Sequence, residues 1–196
     1  MVVPKERVGV LGGTFDPIHV GHLVAASDAR AALGLDRVLL VVAGDPWQKR
    51  GEVVADAGDR LALVEAAVGE VDGLEASALE VERDGASVTA DTLEALTAPD
   101  RELFLLLGAD AVANMGTWRR LDDTRDLATV VVIERAGEHA VPPGSGWRVE
   151  HLAIPRLDVS STEVRERLAR GFPVAGLVPA SVVRLIHERD LYASGS

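Results

Sequence analysis

An α/β fold built on a doubly wound parallel sheet is what this 196-residue sequence predicts, and three observations carry the prediction. Short runs of Val and Leu without polar alternation mark strands buried on both faces. Stretches with apolar residues at helical spacing stand between them, so strand and helix alternate along the chain. The first strand, moreover, passes through two glycines straight into a helix start.

Composition bounds the rest. A hydrophobic content of 47% is ample for a core, and the length suits one domain over residues 1–196 with a small C-terminal helical portion at about 160–192. The formal net charge of −11 argues against a nucleic-acid surface, so any phosphate ligand must meet a local basic cluster inside an acidic shell. The expected partner is a small molecule. With no cysteine, neither a disulfide framework nor thiol chemistry is available. No apolar run approaches about 18 residues and no cleavable apolar segment opens the chain, so no membrane partner is expected and the location expected is cytoplasmic.

Taken in order, residues 7–11 form the first strand and residues 23–33 lie on a helix, with Leu23, Ala26, Ala29, Arg30 and Leu33 at the right spacing and Gly34 as its C-cap. Between them stand Gly12, Gly13, Thr14, Phe15, Asp16, Pro17, Ile18, His19, Val20, Gly21 and His22. The glycines let the backbone approach a ligand closely, and a helix beginning near Val20 offers unpaired N–H groups with a partial positive charge. Such a terminus suits a phosphate, and His19 and His22 both project toward it. A metal pair fits less well, because the spacing is not that of the zinc motifs and no Glu follows the first His.

Residues 37–43 are a second buried strand, completing a βαβ unit. The connection at 44–58 is long enough to be functional rather than a plain turn. A helix at 60–68 and a strand at 74–81 follow, and Thr89 is the expected N-cap of a helix running to Leu96. Residues 102–107 are a further buried strand ending at Gly108, Ala109 and Asp110, and ligands in open parallel sheets gather at such carboxyl ends. Strands at 128–133 and 147–154 come next. Ser160, followed three residues later by Glu163, is a capping box that opens another helix. Arg165 then sits near a helix end that repels cations, and an anion held there with the hydroxyls of Ser161 and Thr162 would resolve the conflict. Residues 180–189 form the last helix, with Val182, Leu185 and Ile186 on one face.

The stretch from Gly12 to His22 resembles the signature of the nucleotidylyltransferase superfamily, and in this spelling that of the bacterial nicotinate-mononucleotide adenylyltransferases. Ser160, Ser161, Thr162 and Arg165 resemble the same family's second phosphate element, far along the chain from the first. The resemblance implies a Rossmann-like fold and Mg²⁺-dependent transfer of AMP from ATP to nicotinate mononucleotide, by direct displacement without a covalent enzyme intermediate. In such proteins the two histidines touch the ATP phosphates, which gives His19, His22 and Arg165 the catalytic roles. Gly12, Gly13, Thr14, Phe15, Gly21, Gly108, Asp110, Ser160, Ser161 and Thr162 then surround the nucleotide.

The resemblance further implies that Lys49, from a Pro-x-x-Lys element at Pro46, holds the mononucleotide phosphate. Thr89 would stand where a helix start receives the pyridine carboxylate, although Val88 replaces the family's Tyr. Trp118 would stack on the pyridine ring, and Arg135 remains from an Arg-Pro-Gly element that here reads Arg135, Ala136, Gly137. No metal site in the protein itself is expected, and a homo-oligomer stays open.

Other readings meet specific obstacles. A dinucleotide fingerprint needs Gly-x-Gly-x-x-Gly, whereas Thr14 and Asp16 fill those positions, and a Walker A site needs Gly-Lys-Thr or Gly-Lys-Ser. Phosphopantetheine adenylyltransferases usually carry Thr in place of His19, and cytidylyltransferases differ in the Ser-Ser-Thr element. A branch using nicotinamide mononucleotide stays open beside these. A non-catalytic nucleotide-binding regulator would keep the glycines but need neither His19 nor Arg165.

Overall fold

The Val and Leu runs form the strands they predict. In the computed structural model, which describes residues 4–46, 51, 53–134 and 140–193, six strands make one sheet in the order β3-β2-β1-β4-β5-β6. They are β1 (Glu6–Gly13), β2 (Arg37–Val42), β3 (Leu74–Ser77), β4 (Arg101–Gly108), β5 (Thr129–Glu134) and β6 (Val149–Ala153). Burial is nearly continuous along β2, β4 and β5, as it must be where both faces of a parallel sheet are covered. The pairings of β1 with β4, β4 with β5 and β5 with β6 are all parallel. This is the doubly wound order, whose reversal point between β1 and β4 is where such sheets take ligands.

Among the described residues seven α-helices connect and cover the strands: α1 (Val20–Leu33), α2 (Ala57–Val68), α3 (Thr89–Leu96), α4 (Ala109–Asn114), α5 (Leu121–Leu127), α6 (Ser161–Ala169) and α7 (Ala180–Glu188). Among the described residues no helix is long and apolar enough to cross a membrane. α1 begins at Val20 as expected, and Gly34 takes φ +59, the left-handed step that ends it.

Several boundaries differ from the sequence expectation, and at two of them a polar side chain is the reason. α2 starts at Ala57 rather than 60 because Asp56 caps it, accepting from Asp59 N at 2.8 Å, and this shortens the preceding loop. β3 stops at Ser77 instead of 81, because Ser77 Oγ accepts from Leu79 N (3.4 Å) and Ala78 O from Glu82 N (2.9 Å), which turns the chain. Thr89 is not the N-cap of α3; Val88 holds that position and makes no side-chain capping bond.

The chain divides into two compact units. The first comprises the described residues up to Gly12, Ala25–Leu39 and Val88–Arg156, and the second comprises Gly13–Val24, Leu40–Ser87 and the described residues from Leu157 onward. In the first, Glu6 ties β1 to its surroundings by accepting from Arg101 (2.8 Å) and Arg37 (2.9 Å). In the second, α2 packs on α7, and Ser181 Oγ donates to Ala66 O at 2.7 Å.

Candidate functional site

The second unit holds residues 13–22 of the signature stretch and the whole Ser160–Arg165 element. His19 is buried, and its ring stacks on that of His22 with centroids 3.7 Å apart and planes 24° from parallel. His22 Nδ1 accepts from His19 N at 3.3 Å, which puts that ring's proton on Nε2 and makes Nε2 a donor. Phe15 and His22 make a T-shaped contact, ring centroids 5.0 Å apart. The glycines divide the work. A Cβ on Gly12 would meet nothing within 4 Å, so its backbone stands open to a ligand. A Cβ on Gly13 would lie 2.8 Å from the Phe15 ring, and one on Gly21 would lie 3.1 Å from the His19 ring and 3.2 Å from Val159. Gly13 and Gly21 therefore serve packing, allowing the tip of an aromatic ring and an imidazole to come close to the turn.

α6 opens as the capping box predicts, with Ser160 Oγ accepting from Glu163 N at 3.1 Å. That bond commits the Ser160 hydroxyl to the cap. The expectation of a free Ser161 hydroxyl also needs correction, because Ser161 Oγ donates to Pro17 O at 2.9 Å and so ties α6 to the signature turn. Arg165 is tied there too. Its Nη1 donates to Asp16 O at 2.6 Å and lies 3.7 Å from the Asp16 carboxylate, while Nη2 reaches Thr162 Oγ1 at 3.5 Å. The conflict of a cation at a helix start, expected to be resolved by a ligand, is thus partly resolved from within by Asp16.

Asp16 is the hub of this unit. Only 3% exposed, its carboxylate accepts from Val54 N (2.8 Å), Ala55 N (3.2 Å) and the Tyr192 hydroxyl (2.7 Å). Close by, Arg60 is buried and donates to Thr14 O (2.7 Å), Ala55 O (3.2 Å) and Gly44 O (3.5 Å). Thr14 thus contributes its carbonyl to an internal bond. Burial pulls the Arg60 guanidinium below its ordinary pKa, with the Asp16 charge acting in the opposite sense. Burial, ahead of the bond to Asp16, pushes the Tyr192 hydroxyl well above the usual tyrosine range. Together these groups clamp both ends of the 44–58 loop to the signature turn. Beside the clamp is a cavity of about 280 Å³ lined by Gly44, Asp45, Pro46, Gly51, Val53, Ala55, Asp56, Ala57 and Arg60.

Asp16, Arg60 and Tyr192 had no assigned role in the sequence. The signals on offer were the place of Asp16 inside the signature stretch, the likeness of Leu191 and Tyr192 to the family's closing Leu-Tyr, and the fact that Tyr192 is the sole tyrosine.

The first unit holds the other described candidates. Thr89 is the first residue of α3, half-buried. Gly108 is the N-cap of α4, and Asp110 is exposed in the first turn of that helix. Trp118 follows a 3-10 turn, Met115–Thr117, donates from its backbone to Met115 O at 2.9 Å and is only half-buried, so it is not a core filler. Arg120, with φ +55, pairs with Asp91, with Glu94 (3.0 Å) and with Asp123 (2.6 Å), which fastens α3 to α5 and offsets the acid in the first turn of α3. Lys49 and Arg135 lie outside the described residues, as does Trp47.

Known proteins are similar to this chain. The cytidylyltransferase-like family model matches residues 10–167. A protein of Saccharopolyspora erythraea named "Probable nicotinate-nucleotide adenylyltransferase" is 43% identical over 195 residues, covering 96% of this chain and 90% of its own. One of the same name from Frankia alni is 44% identical over 191 residues, covering 94% of this chain and 99% of its own. The solved structure of a Plasmodium falciparum nicotinic acid mononucleotide adenylyltransferase complexed with NaAD matches 95% of this chain and 97% of that one. Its TM-score is 0.78 at 16% identity, a likeness of fold. By sequence, over nearly its whole length, the chain belongs to the nicotinate-nucleotide adenylyltransferase family of cytidylyltransferase-like proteins.

Proposed function

We propose that the protein transfers AMP from ATP to nicotinate mononucleotide, giving nicotinate adenine dinucleotide and pyrophosphate for NAD biosynthesis. The observation that carries this reading is the attachment of the second phosphate motif to the first, through Arg165 to Asp16 O and Ser161 to Pro17 O within one unit. An oxygen of the acceptor's 5′-phosphate attacks the α-phosphorus of ATP. The bond from that phosphorus to the bridging oxygen breaks, and the electron pair leaves with pyrophosphate. The nucleophile is already an anion, so the protein's task is alignment and charge stabilisation. His19 and His22 face the triphosphate around the reaction centre, Gly12 lets the backbone approach it, and Arg165 with Thr162 grips the departing pyrophosphate.

Among the described residues no group of three or more His, Asp or Glu is arranged as a metal cage. In this reading Mg²⁺ therefore arrives with ATP, held by phosphate oxygens and water. Lys49 and Arg135 take the mononucleotide phosphate side. Trp118 stacks on the pyridine, Gly108 and Asp110 meet the nucleotide, and the start of α3 at Thr89 receives the carboxylate. One nucleotidyltransferase domain over residues 1–196 accords with a family match that runs through both units. A cytoplasmic location, small nucleotide partners rather than nucleic acid or membrane, and an open homo-oligomeric state complete the reading.

The test is stoichiometric. With MgATP, purified protein should release one pyrophosphate per dinucleotide formed, only when nicotinate mononucleotide is present, and with inversion at a chiral α-phosphorothioate. Binding without turnover, or net retention, would overturn it.

A further inference from the structure

Tyr192 is brought to the hub by an unusual path. Asp190 and Tyr192 take φ +53 and +62, left-handed steps that L side chains rarely adopt, and the ring they deliver is 8% exposed. A phenylalanine would fill the same apolar space, so the hydroxyl and its partner need a reason. The partner is Asp16 Oδ1, at 2.7 Å, which also accepts from Ala55 N. The other oxygen, Oδ2, accepts from Val54 N at 2.8 Å and faces Arg165 Nη1 across 3.7 Å. That gap is longer than a charge-assisted hydrogen bond, so the carboxylate attracts Arg165 without capturing it.

We propose that Tyr192 is a positioning residue for the transfer: by holding Oδ1, its hydroxyl keeps the Asp16 carboxylate from turning onto Arg165 and leaves that guanidinium available to the departing pyrophosphate. The proposal rests on the function argued above. Without the hydroxyl, Oδ1 keeps only the longer bond from Ala55 N at 3.2 Å, and the carboxylate, pivoting on Val54 N, moves toward Arg165 and draws its charge inward. The same carboxylate holds residues 54 and 55, so the far end of the 44–58 loop is set by the same contact.

Tyr192→Phe should therefore lower kcat about tenfold with a smaller change in KM, the scale expected when a charged group is misplaced by less than an ångström. In an Arg165→Ala background the same substitution should have no further effect, because the group through which it acts is gone. Equal losses in both backgrounds would mean a merely structural role and would overturn the proposal, as would an unchanged kcat. Should Tyr192→Phe fail to fold, the sole tyrosine of the chain supplies a second measurement. Protein labelled with 3-fluorotyrosine has one fluorine resonance, which should shift when a non-hydrolysable ATP analogue binds to wild type and stay fixed in Arg165→Ala. A resonance that ignores saturating analogue in wild type would refute the coupling. Failure of the function itself is separately visible, as a wild-type protein that makes no dinucleotide.

Discussion

Arg60 offers the sharpest stability test, because its burial and its partners allow the loss to be worked out. The side chain is 1% exposed, and two of its bonds, to Thr14 O at 2.7 Å and Ala55 O at 3.2 Å, are firm, while the third at 3.5 Å is weak. Replacing it by Met keeps most of the apolar stem but leaves two buried carbonyls without donors, at about 1–3 kcal/mol each. It also removes a buried cation whose charge is felt at Asp16, although no contact ion pair joins the two. Asp16 keeps Val54 N, Ala55 N, Tyr192 and the nearby Arg165, so the two carbonyls dominate, and the lower half of their combined range puts the net loss at about 3 kcal/mol. For a chain of this size that corresponds to a fall in Tm of roughly 6–12 °C. Differential scanning calorimetry of Arg60→Met without ligand measures it, with Arg60→Lys expected between the two because an ammonium can serve one carbonyl but not two. A fall of less than about 2 °C for Arg60→Met would show that the clamp contributes nothing to stability and would refute the reasoning.

Other expected outcomes follow from single contacts. His19→Ala should lower kcat by about 10² to 10³ with Tm held within a few degrees, as for loss of a donor acting in the transition state, and steady-state kinetics beside a thermal melt decides. Gly44→Ala should destabilise by about 1–3 kcal/mol in urea titration, because its Cβ would lie 2.1 Å from Glu80 O, a backbone atom that cannot swing aside. The hydrogen bond from Arg101, ahead of burial, which opposes it, and the charge of Arg37, holds the Glu6 carboxyl below its ordinary value of 4.5. Its contribution is present above that value and lost as pH falls through the lower folded value. The Tm advantage of wild type over Glu6→Gln should therefore stand at neutral pH and vanish in acid. Finally, kcat/KM should favour nicotinate over nicotinamide mononucleotide by at least about 10², because donors placed for a carboxylate are left unpaired by an amide NH₂. Parity would remove the carboxylate pocket from the start of α3.

Most of the fold could be read from the chain because buried parallel strands and helix faces are written in local periodicity. β2 and β5 appear where continuous Val and Leu runs demand burial on both faces, and α1 opens and closes at the residues its pattern names. The misread boundaries share a cause. At Ser77 and Asp56 a short polar side chain bonds the backbone two or three residues on, and that choice between strand, turn and cap is invisible to apolar spacing. At α3 the reverse holds: Thr89 has the chemistry of a cap, yet the helix takes one more residue and leaves Val88 at the cap position.

The site divides along the same line. The groups proposed to meet a ligand lie in short motifs, because a helix start, its glycines and its histidines are neighbours in sequence. The groups that hold those motifs in place come from anywhere. Asp16 meets Val54, Ala55, Arg165 and Tyr192, and no spacing rule connects those positions. The reading of Arg165 shows what this costs. A cation in the early turns of α6 requires an anion, and local electrostatics is right about the need but silent about the source. The fold fastens Arg165 Nη1 to the Asp16 carbonyl at 2.6 Å but keeps the Asp16 carboxylate at 3.7 Å, too far for a firm hydrogen bond, so the arginine is placed without its charge being met at contact. A built-in anion at full contact would compete with a phosphate. The longer distance avoids this, and the carboxylate that sets it is held on its other oxygen by Ala55 N and the hydroxyl of Tyr192.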